Sequence, residues 1–362
     1  MRLLYVTTIK ATMGFFNDEF SHLIKKGHII ELACNCNDTY ESETKKIEMV
    51  VHNISFSRSP FSTDNIKAYA QLKKLVKENH YDIVHCHTPN AAAITRLACM
   101  GIKGTKVIYT AHGFHFYKGA PKKNWLVYYP IEWLCAHWTD SLITINLEDY
   151  MLAKRHMKAR NIEYVPGVGI NLDKFADIST DIFEKRDSLG IPCDATILLS
   201  VGELNANKNH ETVIRAIEGM DVYYLIAGKG DNEQRLLKIA QEVGMEDRVQ
   251  LLGFRRDVLE LLQVADAYVF PSYREGLSVS LMETMASGKP AIVSEIRGNV
   301  DLIDSNGGAL FDPYSVAECR EAIRKVLKSD SRKMGQHNKE KIKQFSTEVV
   351  LKRIDDIYEK NI

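Results

Sequence analysis

The sequence predicts an α/β protein made of two Rossmann-like, doubly wound domains on parallel sheets. Three observations carry this. Short apolar runs alternate with amphipathic helical stretches, the pattern of repeated β–α–β units. The alternation begins twice, at Leu3 and again at Thr196, with a lapse among polar residues over Ile170–Cys193. A length of 362 residues suits two domains of ordinary size.

In the first half, strands are expected at Leu3–Ile9, Ile29–Cys34, Ile83–Cys86, Lys106–Thr110 and Leu142–Ile145. Each is a short apolar run without a helical period. Helices are expected between them at Phe15–Lys26, Ile66–Asn79 and Asn90–Met100. Tyr81-Asp-Ile-Val-His85 reads as a helix exit feeding a buried strand. The second set runs Thr196–Val201, Tyr223–Ala227, Val249–Leu252, Ala267–Phe270 and Ala291–Val293. The last segment, Ser346–Lys360, is amphipathic and helical. Ligands of such sheets bind at the carboxyl ends of the strands, so the loops that follow strands are where chemistry is sought.

Composition narrows the classes. The chain is 45% hydrophobic and 26% charged, as a soluble globular protein is. Lys+Arg and Asp+Glu are both 47, so no global charge favours nucleic acid. Seven scattered cysteines argue against a disulfide framework and for a reducing cytoplasm. Cys34 and Cys36 lack a partner pair and read as strand cysteines rather than zinc ligands. The apolar run at Met1–Ile9 is too short for a signal peptide, and none reaches the roughly 18 residues of a spanning helix.

The most informative stretch is Ser272-Tyr-Arg-Glu-Gly-Leu-Ser-Val-Ser-Leu-Met-Glu283. It puts Glu275 and Glu283 eight residues apart across a loop-to-helix junction. A helix is expected from Ser278, closed by Gly288, with Pro290 forbidding continuation. Its unpaired N–H groups and positive dipole end invite a phosphate at Leu277 and Ser278. Carboxylates beside a phosphate repel it, so Glu275 and Glu283 should meet hydroxyls. A sugar nucleotide offers both: a central diphosphate, sugar hydroxyls at one end and ribose hydroxyls at the other. After the strand ending at Val201, Gly202 permits close backbone approach and Lys208 can neutralise a diphosphate.

The run Pro271-Ser272-Tyr-Arg-Glu275-Gly276…Glu283-Thr-Met285-Ala286-Ser-Gly288-Lys-Pro290 resembles the retaining family-4 glycosyltransferases of GT-B fold. The likeness is nearest to bacterial capsule and exopolysaccharide transferases. It implies two Rossmann-like domains facing across a cleft. An acceptor-side domain would cover 1–170 and a nucleotide-sugar domain 190–345, with 346–362 crossing back onto the first. The resemblance assigns the diphosphate to Lys208, the donor-sugar hydroxyls to Glu275 and the ribose to Glu283. Gly276, Leu277 and Ser278 complete the donor loop. In Gly202-Glu203-Leu…Lys208, Glu203 stands where the family usually has Arg, so no phosphate role passes to it. Gly228, in Ala227-Gly228-Lys-Gly230, would line the nucleotide. Phe254, Arg255 and Val258 belong to the loop that holds the base. His112, in Thr110-Ala-His112-Gly113, matches the histidine that approaches the reaction centre. Gly14 answers to the first strand-to-helix loop. Tyr164-Val-Pro166-Gly-Val-Gly169 resembles the element before the linker, with Gly167 in place of Asn.

Other residues stay with two readings. His85 and His87 share a strand face, but nothing completes a metal site. His87 could instead line the acceptor side. Trp125, Trp133 and Trp138, with Phe116, Tyr117, Tyr128 and Tyr129, sit near Lys118, Lys122 and Lys123. Within 114–138 this suits a membrane interface or a core-packed helix equally.

The expected function is transfer of a sugar from a UDP-sugar to a polyprenyl-diphosphate-linked saccharide, with retention. It belongs to capsule, exopolysaccharide or O-antigen synthesis on the cytoplasmic face of the membrane. No Asp-x-Asp signature stands where a metal is needed, so neither a divalent cation nor a cofactor is expected. Catalysis falls to His112, Glu275 and Lys208. Two rivals remain: a nucleotide-sugar epimerase or hydrolase of the same fold, and a catalytically silent UDP-sugar-binding subunit.

Overall fold

The computed structural model describes residues 1–36, 49–176 and 179–362. The chain divides into two compact units, Met1–Gly169 with Thr347–Ile362, and Ile170–Ser346.

The first unit carries a parallel seven-stranded sheet. Its strands are β1 (Arg2–Ile9), β2 (Ile29–Asn35), β3 (Val50–Asn53), β4 (Ile83–His87), β5 (Lys106–Ala111), β6 (Ser141–Thr144) and β7 (Asn161–Tyr164). Their order is β3-β2-β1-β4-β5-β6-β7, so the winding reverses between β1 and β4. Alternation along β1 explains the layering. Leu4 and Val6 join Val84, Cys86 and Tyr109 in one core, while Leu3 and Tyr5 join Ile83, Ile108 and Ile143 in another. The helix Thr347–Lys360 covers the second face, burying Val350, Ile354, Ile357 and Tyr358. The last helix thus crosses back onto the first domain, as expected.

The second unit carries six parallel strands: β8 (Thr196–Val201), β9 (Val222–Ala227), β10 (Val249–Gly253), β11 (Ala267–Phe270), β12 (Ala291–Ser294) and β13 (Gly308–Phe311). The order β10-β9-β8-β11-β12-β13 reverses between β8 and β11. Residues 171–189, placed in neither domain from the sequence, pack with this unit where described, as does Ile170, which was expected in the first. Arg186 explains it: Nη1 donates to the carbonyls of Cys193 and Ala195 at 2.7 and 2.8 Å, and Nη2 to that of Val264 at 3.0 Å.

Every expected strand is present, with ends shifted by at most one residue. The first helix starts later than expected, at Asn17, because Lys10–Phe16 forms a 3₁₀ turn. Strands β3, β7 and β13 were not anticipated. All seven cysteines are free. Cys34 is buried in β2 and Cys36 half-buried just beyond it, their sulfurs 3.9 Å apart.

Candidate active site

The loops after β8 and β11 are neighbours because their strands are, at the point where the winding reverses. Backbone ties hold them together. Tyr273 N–H donates to the Asn207 carbonyl at 2.8 Å, and Asn207 Nδ2 to the Arg274 carbonyl at 3.0 Å. This brings Lys208 to Glu275, Nζ to Oε1, at 2.8 Å. Lys208 also lies over the Phe270 ring, 4.7 Å from its centroid. Both charged side chains are largely buried, with relative exposures of 20% and 16%.

The Lys208 loop is built by asparagines that lie outside the expected site residues. Asn205 accepts from Lys208 N–H at 3.1 Å and caps the turn Ala206–Lys208. Glu203 accepts from Asn205 Nδ2 at 2.7 Å, so its carboxylate shapes the loop. Asn209 takes a left-handed backbone, φ 51°, and donates to the carbonyls of Pro271 and Pro313 at 3.1 and 2.9 Å. The run Asn205-Ala-Asn207-Lys-Asn209 was the available signal, because asparagine tolerates tight turns and bonds its own backbone neighbours.

On the other side, the helix Val279–Ala286 starts where expected. Ser278 Oγ caps it, accepting from Leu281 N–H at 3.4 Å. Leu281, Met282 and Met285 are fully buried, each worth about 1.5–3 kcal/mol, which anchors the helix and the N–H groups at its start. The Glu275–Gly276 loop leans on Arg297, whose Nε donates to the Glu275 carbonyl at 3.1 Å. Gly298 lies so close that a Cβ there would stand 2.1 Å from the Gly276 oxygen. Neither residue was anticipated. Glu283 lies on the same helix, its carboxyl pushed up by burial while Lys174 opposes the shift.

Three glycine-bearing loops meet at the ends of β8, β9 and β10. Gly202 N–H donates to the Ala227 carbonyl at 3.0 Å, and Gly228 N–H to that of Gly253 at 2.8 Å. A Cβ on Gly228 would sit 1.8 Å from the Gly202 oxygen. Beyond Gly253, Phe254 is 68% exposed and available to a flat ligand. Arg255 is committed to Asp257, Nε to Oδ1 at 2.8 Å, and Lys185 pairs with the same carboxylate. Val258 opens the helix Val258–Val264. Arg255 therefore shapes the loop within the protein.

In the first unit His112 follows β5 and is half-buried. Its Nε2 faces Nδ1 of His87 at 3.1 Å. Burial pushes the His112 imidazole down to about 4 and that of His85 to about 3, so both are neutral at ordinary pH. His87 is only 1% exposed, so it lies behind His112 and not on an acceptor surface. Gly14 lies in the 3₁₀ turn with open space where a Cβ would stand, so nothing there demands glycine.

A cavity of about 250 Å³ opens at the β1/β4 reversal. Thr8, Thr12, Thr88, Arg58, His115 and Tyr128 are among its walls. Tyr128 belongs to the helix Lys122–Ala136, which has two characters. Trp125, Tyr128 and Tyr129 pack against the core, while Leu126, Ile131, Trp133 and Leu134 are exposed. The aromatic segment is thus both core and surface.

Among the described residues, no group of three or more His, Cys, Asp or Glu side chains is placed to hold a metal ion. No described helix is long and apolar enough to cross a membrane.

Residues 4–146 match the family described as Glycosyl transferase 4-like, and residues 181–344 match Glycosyl transferases group 1. The glycosyltransferase EpsD of Bacillus subtilis (strain 168) is 39% identical over 84% of this chain and 84% of its own. A UDP-Gal:alpha-D-GlcNAc-diphosphoundecaprenol alpha-1,3-galactosyltransferase of Escherichia coli is 30% identical over 70% of this chain and 66% of its own. Among solved structures, HepE of Anabaena, in complex with UDP and glucose, superposes with TM-score 0.83 at 16% identity, covering 99% of this chain and 100% of that one. A sucrose-phosphate synthase from Thermosynechococcus elongatus gives TM-score 0.83 at 18% identity, covering 99% and 98%. These structures share the GT-B fold of two Rossmann-like domains, and the chain belongs to the family-4 type of glycosyltransferases.

Proposed function

We propose that this glycosyltransferase moves a sugar from a UDP-sugar, with retention, to a polyprenyl-diphosphate-linked saccharide. The product would serve a bacterial exopolysaccharide, capsule or O-antigen. The observation that carries the reading is the Lys208–Glu275 pair beside the helix start at Ser278. Breaking the donor's glycosidic bond leaves negative charge on the diphosphate. Lys208 and the N–H groups at Leu277 and Ser278 stabilise that charge as it grows, which is where binding energy accelerates a reaction. Glu275 takes the donor-sugar hydroxyls and steadies Lys208 until the phosphate arrives. Glu283 takes the ribose. Gly202 and Gly228 line the diphosphate, and Phe254 and the backbone to Val258 line the base. His112 serves the reacting centre from the first domain. Retention follows if the acceptor attacks the face the phosphate leaves, with the departing phosphate taking the acceptor's proton. Neither a metal nor a cofactor takes part.

On the acceptor side, the cavity beside Thr88 and Tyr128 suits a polar saccharide. The exposed apolar side chains of Lys122–Ala136, with Lys118, Lys122 and Lys123 nearby, suit contact with an anionic bilayer surface. The activity for which the Escherichia coli relative is named, on a diphosphoundecaprenol-linked sugar, supports a lipid-linked acceptor. HepE crystallised with UDP and glucose supports the UDP donor.

The experiment is UDP release from a panel of UDP-sugars, each with and without bacterial lipid extract. Release from one donor that rises with the lipid supports the reading and names the sugar. No release from any donor, with no thermal stabilisation by UDP, overturns it. A ligand at ~100 times its dissociation constant should add about 2.7 kcal/mol. Release that ignores the lipid favours a hydrolase, and conversion of one UDP-sugar into another without release favours an epimerase.

A further inference from the structure

His87 and His112 stand 25 residues apart in the chain, yet their imidazoles share a single hydrogen bond, Nδ1 of His87 to Nε2 of His112 at 3.1 Å. Two neutral rings can make that bond in only two ways, since each carries one proton. Either His87 donates from Nδ1 and His112 accepts at Nε2, or the reverse.

The surroundings of His87 decide between them. Its other nitrogen, Nε2, is buried without a hydrogen-bond partner. If His87 accepted at Nδ1, its proton would sit on Nε2 as a stranded N–H. If it donates from Nδ1, only a bare lone pair is stranded. Orphaned N–H groups in protein interiors are the rarer of the two. Burial keeps both rings uncharged, which removes the doubly protonated alternative.

The ring of His87 cannot turn away. It is packed against Phe16 at 4.3 Å and His85 at 4.2 Å between centroids, and stacked with Tyr5 at 5.7 Å. His85 is held in turn. Its Nδ1 meets the Tyr358 hydroxyl at 2.7 Å and its Nε2 the Thr110 hydroxyl at 2.8 Å.

We propose that His87 is a positioning residue that fixes His112 as the neutral tautomer with its proton on Nδ1. With Nε2 occupied, His112 then presents an N–H donor and no basic nitrogen. Nδ1 of His112 has no protein partner among the described residues, so that donor is available to a substrate oxygen. Resting on the proposed function, this deepens it: His112 stabilises an oxygen of the donor sugar or leaving group and does not remove the acceptor's proton.

The test is long-range proton–nitrogen NMR of the full chain labelled with ¹⁵N-histidine, near neutral pH. The His112 signals are identified by their loss in His112→Gln. The expected spectrum shows His112 protonated at Nδ1 and bare at Nε2. In His87→Phe this preference should be lost, and signals of the Nε2–H form should appear. His87→Asn should keep it, because its amide N–H can replace the Nδ1–H of His87. In UDP release, His87→Phe should lower kcat roughly 10²-fold with KM for the donor little changed, and His87→Asn should recover most of it. A wild-type His112 protonated at Nε2 overturns the proposal, as does an unchanged His112 spectrum in His87→Phe. Should the Phe variant not fold, the wild-type and Asn spectra decide. The spectra need no turnover, so failure here is separate from failure of the transferase reading.

Discussion

Lys208 and Glu275, 67 residues apart in sequence, form a 2.8 Å ion pair where the second sheet reverses its winding. In the proposed reading, the cation for the diphosphate is thereby held by the carboxylate for the sugar hydroxyls. The pair would keep Lys208 aimed until the incoming phosphates compete for it.

Removing either partner should therefore disable transfer in different ways. Lys208→Met should lower kcat for UDP release by about 10²–10³ and weaken UDP binding. Glu275→Ala should lose transfer yet keep UDP binding by calorimetry, since the proposed base, ribose and diphosphate contacts lie elsewhere. Unchanged transfer in Glu275→Ala would remove that residue from the mechanism.

Gly228 tests the packed loops. With Gly202 O only 1.8 Å from where a Cβ would stand, Gly228→Ala must push backbone apart. Destabilisation of about 1–3 kcal/mol or more is expected in urea melts, with UDP affinity falling. Gly14→Ala, with open space around it, should leave both unchanged.

In the first domain, Arg96 and Glu132 form an ion pair with Nη2 and Oε2 2.8 Å apart and relative exposures of 0% and 9%. Arg96 also lies over Tyr109, 4.2 Å from the ring centroid. Arg96→Met strands the Glu132 charge and should cost about 3–5 kcal/mol. The double change Arg96→Met with Glu132→Leu should recover much of that loss. A single variant as stable as wild type in chemical denaturation would refute the coupling.

The same domain should lose stability in mild acid. His85 and His112 are held at about 3 and 4, below the ordinary 6.5, so their contribution is present above pH 6.5 and lost as pH falls through that window. Glu19 works oppositely. Burial lifts it from 4.5 to about 7, so its contribution is present below 4.5 and lost as pH rises to 7. His87 carries the same sign as the other histidines, so the histidines outnumber the carboxyl. The denaturation midpoint should rise from about pH 4 to 6.5, at about 1.4 kcal/mol per pH unit for each net proton. Glu19→Gln should steepen that rise. A flat or falling profile would contradict these assignments.

The central strands were legible because burial on both faces makes them continuous apolar runs, as in Leu3–Ile9 and Thr196–Val201. Strands β3 and β13 were not, because β3 is a short edge strand that opens on exposed Val50, and β13, though largely buried, is four residues long and opens on a glycine. β7, half-buried at the other edge, failed the same way. Glu275, Glu283 and Ser278 were legible as a local pattern. The contacts of Lys208 with Glu275, and of His87 with His112, were not, since each spans strands that only the tertiary fold brings side by side. Arg255 looks like a ligand group in sequence, yet its charge bonds Asp257, while Glu203, which was given no ligand role, bonds Asn205.

The helix Thr347–Lys360 places Tyr358 within 2.5 Å of the Tyr5 hydroxyl, so the first strand of the chain and its final helix share one buried contact. During synthesis the ribosome delivers these two partners 353 residues apart. The second domain, contiguous from Ile170 to Ser346, emerges whole and can fold as it appears. The first domain must wait, with the apolar face around Leu3, Tyr5, Ile83 and Ile108 uncovered, until the helix Thr347–Lys360 has been made. The domain made first is the one completed last.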